Sequence, residues 1–587
     1  MFFLSRPKTG AVLGLSVIMS VLLFARAYAQ DGSSELIRQQ QRQQQFEQRF
    51  QPDVHVRLDG LKPHVAQSPE IFPVVESPCF VIHAIHLDGE QAARFNYALN
   101  IAVRQLGFQP GMCLGATSIN RLMQKAQNRF IESGYVTSRI MASSQDLRSG
   151  ALTLTVIPGL VGQIRVNDRN SEQTHSGRIR SWQNELPLAS GEVLDLRSIE
   201  QGLENFKRLS TAEADIQIEP SVLPGHSDIV INWSQRDIPL RLTLSADDSG
   251  SRSSGKYQGS ATLSLENPLG LSDLFYVSYN HSLGHTRKAR NGGNVLDSGG
   301  TKGHAVHYSV PFGNWLFAFN QSGYRFDQPV AGYQQNYNYR GTSRNVDLGL
   351  TRLLYRDAHR KTTATLKGWT RRSYNFIDDT EIDVQRKRTA GWAAELNHIE
   401  YLGASTLNVK AGYKRGTGLF ESEAPPEQAF GEGTSRMKVI TADIGLMVPF
   451  SVGTQRFSYS SQWHGQWNKT PLMMQDRMAI GGRYTVRGFD GEMSLMAERG
   501  WYWRNEFGWH YATGQQLYLG LDAGHVSGPS AAYLLGQTLV GGVIGLRGQF
   551  KAGGQVYYDL FAGTPIKKPR HFQTPDVTLG FMVSYAF

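Results

Sequence analysis

Two cysteines in 587 residues, Cys79 and Cys113, leave no thiol set for a zinc cluster. The 16 histidines are scattered, and no His-Glu-x-x-His helix, Gly-x-Ser-x-Gly elbow or phosphate-cradling Gly-x-x-x-x-Gly-Lys run occurs. His83 and His86 share a strand-like segment and are expected as surface or packing residues rather than ligands. No metal, cofactor or catalytic residue is therefore expected, and the chain is not expected to be an enzyme. Beyond the N-terminus no apolar run reaches about 18 residues, and mean hydropathy is −0.35, which excludes helical membrane spans. Membrane-crossing strands alternate in character and escape that search. The formal charge is +10, but it is spread without a basic helix or an aromatic-interleaved patch, so nucleic acid is not an expected partner.

Residues 1–29 have the layout of a secretory signal. Arg6 and Lys8 supply the charged region, Ala11 to Phe24 the apolar core, and Ala27-Tyr28-Ala29 the cleavage tripeptide. The apolar core is short for a membrane anchor, the alternative reading. An exported chain with two cysteines is expected to pair Cys79 with Cys113, a closure contributing about 3–4 kcal/mol on the chain-entropy account. Two buried free thiols are the alternative.

Residues 30–50 are rich in glutamine and arginine, with Leu36, Ile37, Phe46 and Phe50 as their large apolar side chains, which allows a short polar helix or a solvated tail. Five prolines between 51 and 78 make that stretch an extended linker. Two α+β units follow. In 79–160, Phe80 to Leu87 is strand-like, a helix is expected over about 91–105, and a second starts near Thr117 or Ser118, whose hydroxyls can cap it. Ile119, Leu122, Met123, Ala126 and Phe130 give that helix an apolar face, Gly134 closes it, and Tyr135 to Ile140 and Ala151 to Ile157 follow as strands. In 161–237, Gln163 to Val166 is a strand, Asp195 caps a helix faced by Ile199, Leu203 and Phe206, and Ala214 to Ile218 and Asp228 to Trp233 close the unit. The repeated order is β-α-α-β-β.

From 238 to 587 the chain turns to short alternating segments, such as Ile440, Ala442, Ile444, Leu446, Val448 and Phe450 with polar or small residues between. One face of such strands meets lipid and the other water, and about 14–18 crossings fit. Trp463, Trp467, Trp501, Trp503 and Tyr585 suit interfacial girdles of an all-β membrane barrel better than a soluble sandwich. Between two such strands, 481–492 contains Gly481-Gly482-Arg483-Tyr484-Thr485-Val486-Arg487-Gly488-Phe489, too cationic and glycine-rich to face lipid, and is expected to fold inward. Along Leu517 to Gly524 the leucines share one parity and Tyr518, Gly520, Asp522 and Gly524 the other, so Asp522 points into the lumen with small neighbours beside it.

Val486-Arg487-Gly488-Phe489, the Gly520-Leu521-Asp522-Ala523-Gly524 strand and the terminal Phe587 resemble the Omp85 superfamily of polypeptide transporters. Together with the N-terminal half they resemble its two-partner-secretion branch, the TpsB transporters of haemolysins, adhesins and contact-dependent-inhibition toxins. Gly134-Tyr135-Val136-Thr137-Ser138-Arg139 and the β-α-α-β-β order look like a POTRA domain, the periplasmic module that receives unfolded clients.

The resemblance implies two POTRA domains, a 16-stranded barrel and a plug formed by the helix of 30–50. It also implies pairing of Arg487 with Asp522, and reading of the alternating end Phe581, Val583, Tyr585, Phe587 by the outer-membrane assembly machinery. The implied location is the outer membrane of a Gram-negative bacterium, in contact with its lipid, and the implied partner a large secreted exoprotein. Two other classes stand beside this: an assembly factor that inserts other barrels, whose branch tends to carry more POTRA units, and a passive porin or nutrient receptor, in which periplasmic repeats have no role.

Overall fold

The computed structural model describes residues 35–50, 54–58, 72, 75–168, 182–284, 290, 291, 294, 295, 299–331 and 336–587. The expected signal at 1–29 and most of the proline-rich linker lie outside these residues.

In the first periplasmic unit the expected single strand from Phe80 to Leu87 is two pieces, Phe80–Ile82 and Ala84–Asp88. The break falls at His83, where the N–H groups of His83 and Ala84 both donate to the Gly150 carbonyl and turn the chain. Phe80–Ile82 pairs with Met112–Leu114, Val81 opposite Cys113, and Cys79 and Cys113 are joined with Cα atoms 5.4 Å apart. Ala84–Asp88 runs parallel to Ala151–Ile157, which is flanked on its other edge by Arg139–Ala142, a strand that begins later than Tyr135. Two helices, Ala92–Leu106 and Ala116–Glu132, bury Phe95, Leu99, Leu122 and Phe130 against Leu152, Leu154 and Val156 of this sheet.

Neither Thr117 nor Ser118 caps the second helix through its hydroxyl, because the helix starts at Ala116 after Gly115. The linker supplies the cap instead. The Glu76 carboxylate accepts from the backbone N–H groups of Gly115, Thr117 and Ser118 at 2.8, 2.9 and 3.2 Å. Burial opposes its charge, but the Ser118 hydroxyl and these N–H groups hold its carboxyl down at about 2. A carboxylate at a helix N-terminus satisfies donors that the helix leaves free.

The second unit has strands Leu160–Asp168, His226–Gln235 and Ala212–Pro220 in that spatial order, the first pair parallel and the second antiparallel. Asp195 caps helix Leu196–Lys207 as expected, accepting from the Arg197 N–H at 2.9 Å. The two units share strand order; among the described residues this unit has a single α-helix, and 169–181, where the first helix of the expected order would fall, lies outside them. Its core, built on Ile199, Leu203, Phe206, Ile231 and Trp233, continues into Leu274 and Tyr276 of the barrel.

The remainder is a closed barrel of 16 antiparallel strands, from Leu240–Asp247 to Thr578–Ala586, with a two-residue strand Thr380–Glu381 folded back on the seventh. Leu519 and Leu521 are 56% and 54% exposed on its outer face, whereas Asp522 is fully buried, which is the alternation the sequence predicts. The first and last strands pair over only five residues, Thr243–Asp247 with Met582–Ala586, against eight or more at the neighbouring joints. Among the described residues no helix is long and apolar enough to cross a membrane.

The second unit docks on the periplasmic turns of the barrel. Arg208 donates to the Ser272 carbonyl at 2.8 Å and the Ser309 hydroxyl at 2.6 Å, and Thr211 N–H to Glu266 at 2.7 Å.

Candidate functional site in the barrel lumen

The long connection between the eleventh strand, Gln455–Asn468, and the twelfth, Arg499–Ala512, contains a short ribbon, Met478–Ile480 paired with Leu495–Ala497. Residues 481–492 hang from this ribbon into the lumen. Val486 and Phe489 are buried in an apolar cluster with Ile480, Leu495, Val526 and Leu539, and Phe489 meets Phe572 edge-on at 5.7 Å.

Arg487, 5% exposed, reaches the wall at the thirteenth strand, Gln515–Ser527. Its Nε donates to Asp522 Oδ2 at 2.7 Å and its Nη2 to Oδ1 at 2.9 Å, the parallel two-bond arrangement that a planar guanidinium allows. Its Nη1 donates to Glu506 Oε2 at 2.7 Å, and its backbone N–H to Asp522 Oδ2 at 3.0 Å. Glu506 also receives Arg547, and Arg504 Nε stands 3.9 Å from Asp522. One loop arginine thus bridges two buried carboxylates on adjacent strands, with Arg547 and Arg504 beside them to balance the charge.

Glycines make the room for this. A Cβ on Gly520 would meet Arg487 Nη2 at 2.7 Å, and one on Gly524 would meet Val486 Cγ2 at 2.8 Å. Gly488 itself has φ +99°, a conformation that L side chains rarely adopt, and its Cα lies against Gly541 and Gly563 of the next two strands. A Cβ on Gly541 would sit 1.9 Å from the Arg487 carbonyl oxygen.

A second anchor lies at the joint between the first and last strands. Arg483 Nη1 bonds Asp248 Oδ1 at 3.0 Å and Nη2 bonds the Phe581 carbonyl at 3.2 Å, while Asp248 accepts the Phe581 N–H at 2.9 Å. These contacts continue the short seam above its last backbone pair.

The polar helix at 35–50 lies in the lumen beside the inward loop, with a cavity between it and the wall. Glu35 accepts from Arg38 at 3.0 Å, Gln39 at 3.0 Å and the Tyr324 hydroxyl at 2.9 Å; Arg42 donates to Gln258 at 2.9 Å, and Arg38 to the Gly491 carbonyl of the inward loop. At its lower end Phe46 and Phe50 pack on Tyr276, with centroids 6.1 and 5.6 Å apart, in the same cluster as the core of the second periplasmic unit.

The chain then leaves the lumen through a junction of three parts. Val56 N–H donates to Glu204 at 3.0 Å and Leu58 N–H to Glu200 at 2.9 Å, both from the periplasmic helix, while Arg356 of the barrel grips the Val56 carbonyl. Arg356 and Lys361 also pair with Glu204. Burial opposes the charge of Glu204, but Lys361 and Arg356 outweigh it and keep its carboxyl below the usual range.

Of the residues singled out in the sequence, Val486, Arg487, Gly488, Phe489, Gly520, Asp522 and Gly524 come together, Cys79 and Cys113 are bonded, and Phe581, Val583 and Tyr585 lie on the last strand. Among the described residues no three His, Cys, Asp or Glu side chains are grouped to hold a metal, His83 and His86 included. Arg483 and Arg38 fall in the inward loop and the polar helix expected from sequence, without their partners being read there. Glu506, Gly541 and Gly563 were not singled out, and of these Glu506 carried a signal, its inward parity between the outward Trp503 and Phe507.

Residues 225–548 match the family of haemolysin secretion/activation proteins ShlB/FhaC/HecB, residues 80–159 the ShlB-type POTRA domain, and residues 160–220 a further POTRA domain. The chain is 35% identical over 552 residues to the outer membrane transporter CdiB-2 of Burkholderia pseudomallei, covering 92% of this chain and 91% of that protein. It is 24% identical to the hemolysin transporter protein HpmB of Proteus mirabilis over 71% of each chain. The solved structure of CdiB from Acinetobacter baumannii superposes with a TM-score of 0.80 at 27% identity, covering 95% of this chain and 99% of that one.

Proposed function

We propose that this chain, which belongs to the ShlB/FhaC/HecB family of haemolysin secretion/activation proteins, is an outer-membrane transporter of two-partner secretion. Its periplasmic POTRA domains take up a large unfolded exoprotein, and its barrel secretes it. The exoprotein is of the contact-dependent-inhibition kind, a reading supported by likeness to CdiB-named transporters over nearly the whole chain. The observation that carries the mechanism is that two segments of the chain itself, helix 35–50 and loop 481–492, occupy the lumen, both held by polar contacts to the wall. A barrel wall is permanent, whereas the polar contacts of the helix can be exchanged for water and for client.

An extended client adds main-chain hydrogen bonds at a POTRA sheet edge. The second POTRA domain shares an apolar cluster with Phe46 and Phe50 and holds the linker through Glu200 and Glu204, so its displacement loosens the helix from below. The helix then vacates the polar lumen. Arg487 keeps loop 481–492 tied to Asp522 and Glu506, so that the client passes a positioned constriction rather than a collapsing loop. Folding of the client outside makes its return unfavourable and supplies direction.

The test is secretion of a candidate exoprotein with the full chain and with residues 80–235 removed, medium and periplasm assayed separately. Export that vanishes on deletion while other barrels assemble supports the reading. Undiminished export, or loss of outer-membrane barrels in general, refutes it.

A further inference from the structure

The outer wall carries a feature that transport does not use. On the fourth strand, Gly300–Phe312, Lys302 has the parity of the outward Phe312; on the fifth, Trp315–Ala331, Arg325 has that of Trp315 and Phe317. The two cations stand directly opposite each other. On the sixth, Asn336–Arg356, Arg344 shares the face of Leu348 and Leu350, and lies opposite Arg372 of the seventh, which lies opposite Arg388 of the eighth. Arg415 and Lys438 oppose each other on the ninth and tenth. Seven consecutive strands thus each place a cation on the lipid side of the extracellular rim. Among the described strand residues, the other strands carry two isolated ones there, Arg499 and Lys567.

The level is set by the sequence. From Arg352, stacked on Trp315 at the periplasmic edge, to Arg344 is about 26 Å along the strand at ~3.3 Å per residue, or about 20 Å across a membrane at ~40° tilt. Val346, Leu348 and Leu350 fill the interval. Lys302, Arg325 and Arg344 therefore stand where hydrocarbon gives way to headgroups.

They also line a hollow of about 520 Å³, with Tyr279, Gln321 and the His304 ring, which lies over Gly323 opposite Arg344, around it. Like charges directly opposed in a sheet are destabilising, so such a belt favours an anion between its members. The protein's own carboxylates answer part of it. Asp327 takes Arg325 through two bonds of 2.9 and 3.0 Å, and Glu421 lies 3.3 and 3.4 Å from Arg372 and Arg388, with Glu423 3.3 Å from Arg388. Among the described residues Lys302, Arg344, Arg415 and Lys438 have no carboxylate partner.

We propose that the hollow between Lys302, Arg325 and Arg344 binds the phosphate of a phosphorylated glycolipid of the outer leaflet, and that the cationic belt fixes the height and facing of this side of the barrel in the membrane. The Arg344 guanidinium suits a phosphate through paired N–H donors, Lys302 and Arg325 add charge beside it, and the acyl chains have Val346, Leu348 and Leu350 below to lie on.

The test is native mass spectrometry of the full chain titrated with bisphosphorylated lipid A, its dephosphorylated form and phosphatidylcholine. The protein is expected to prefer the bisphosphorylated lipid over the dephosphorylated one by at least about tenfold, as charge-assisted phosphate contacts imply. The preference should fall below about twofold in K302Q/R325Q/R344Q and stay in R499Q/K567Q, because it rests on grouped rather than isolated cations. Equal preference in both variants overturns the proposal. So does displacement of the lipid by an equal concentration of inorganic phosphate, which would mark a free-anion site. Folding is read from heat-modifiable migration; if the triple variant does not fold, R344Q alone is expected to lose about threefold, and no loss overturns the proposal.

Discussion

Replacing Arg487 tests how far the inward loop depends on one side chain. Arg487→Ala removes three side-chain hydrogen bonds, at 2.7, 2.9 and 2.7 Å, and leaves Asp522 and Glu506 buried beside each other. Breaking a buried ion pair from one side costs about 3–5 kcal/mol, because the remaining charge is uncompensated. Arg504 stands 3.9 Å from Asp522, and Arg547 already bonds Glu506, so the lower end applies. At ~1.4 kcal/mol per tenfold, about 3 kcal/mol lowers the docked population of the loop by roughly two orders of magnitude relative to the released one. Arg487→Lys keeps the charge but not the fork, and should lose about 1.5–3 kcal/mol. Amide hydrogen exchange over 481–492 in the purified protein reads this directly, since the Arg487 N–H is itself bonded to Asp522 at 3.0 Å. Protection should fall in the order wild type, Lys, Ala, with secretion falling alike while the barrel still inserts. Wild-type protection in the lysine variant would refute the two-bond argument, and normal export by the alanine variant would refute the role of the loop.

The same docking can be blocked from the wall. Gly541→Ala places a Cβ 1.9 Å from the Arg487 carbonyl oxygen and should release the loop with every charged group intact, whereas Gly542→Ala, which meets only the Ile566 side chain at 3.2 Å, should leave exchange over 481–492 unchanged. At the junction, Glu200→Gln with Glu204→Gln weakens the acceptors of the Val56 and Leu58 N–H groups and the partners of Arg356; both amides should exchange at least about tenfold faster, each hydrogen bond to a charged group being worth ~1.5–3 kcal/mol. Burial pushes the Glu185 carboxyl from 4.5 up to about 7, so its proton is held more tightly folded than unfolded. The associated stability is present below about 4.5 and lost as pH rises through about 7, so the melting temperature of Glu185→Gln should gain on wild type between pH 5 and pH 8.

Alternation made much of the barrel legible in the sequence. The leucines of Leu517 to Leu521 must take lipid, which leaves Asp522 inward, and the structure buries it. The same alternation, with Trp503 and Phe507 outward, places Glu506 in the lumen as well. What it cannot supply is register, the property that sets Arg344, Arg372 and Arg388 side by side from three strands. Local signals also failed where the deciding partner is distant. His83 ends a strand because of Gly150, and the helix at Ala116 is capped by Glu76, not by its own Thr117 or Ser118. Gly541 and Gly563 matter only because a loop from another part of the chain crosses them, and nothing beside them in the sequence says so.

In the proposed mechanism the client travels through the lumen that helix 35–50 occupies. A photo-crosslinking residue at Asn345, which lines the space beside that helix, tests it in cells carrying an exoprotein stalled by a folded domain at its end. An adduct between position 345 and the stalled exoprotein is expected, replaced by an adduct to the helix when no exoprotein is made. Crosslinks to the helix alone, under stalling that demonstrably blocks export, would contradict it.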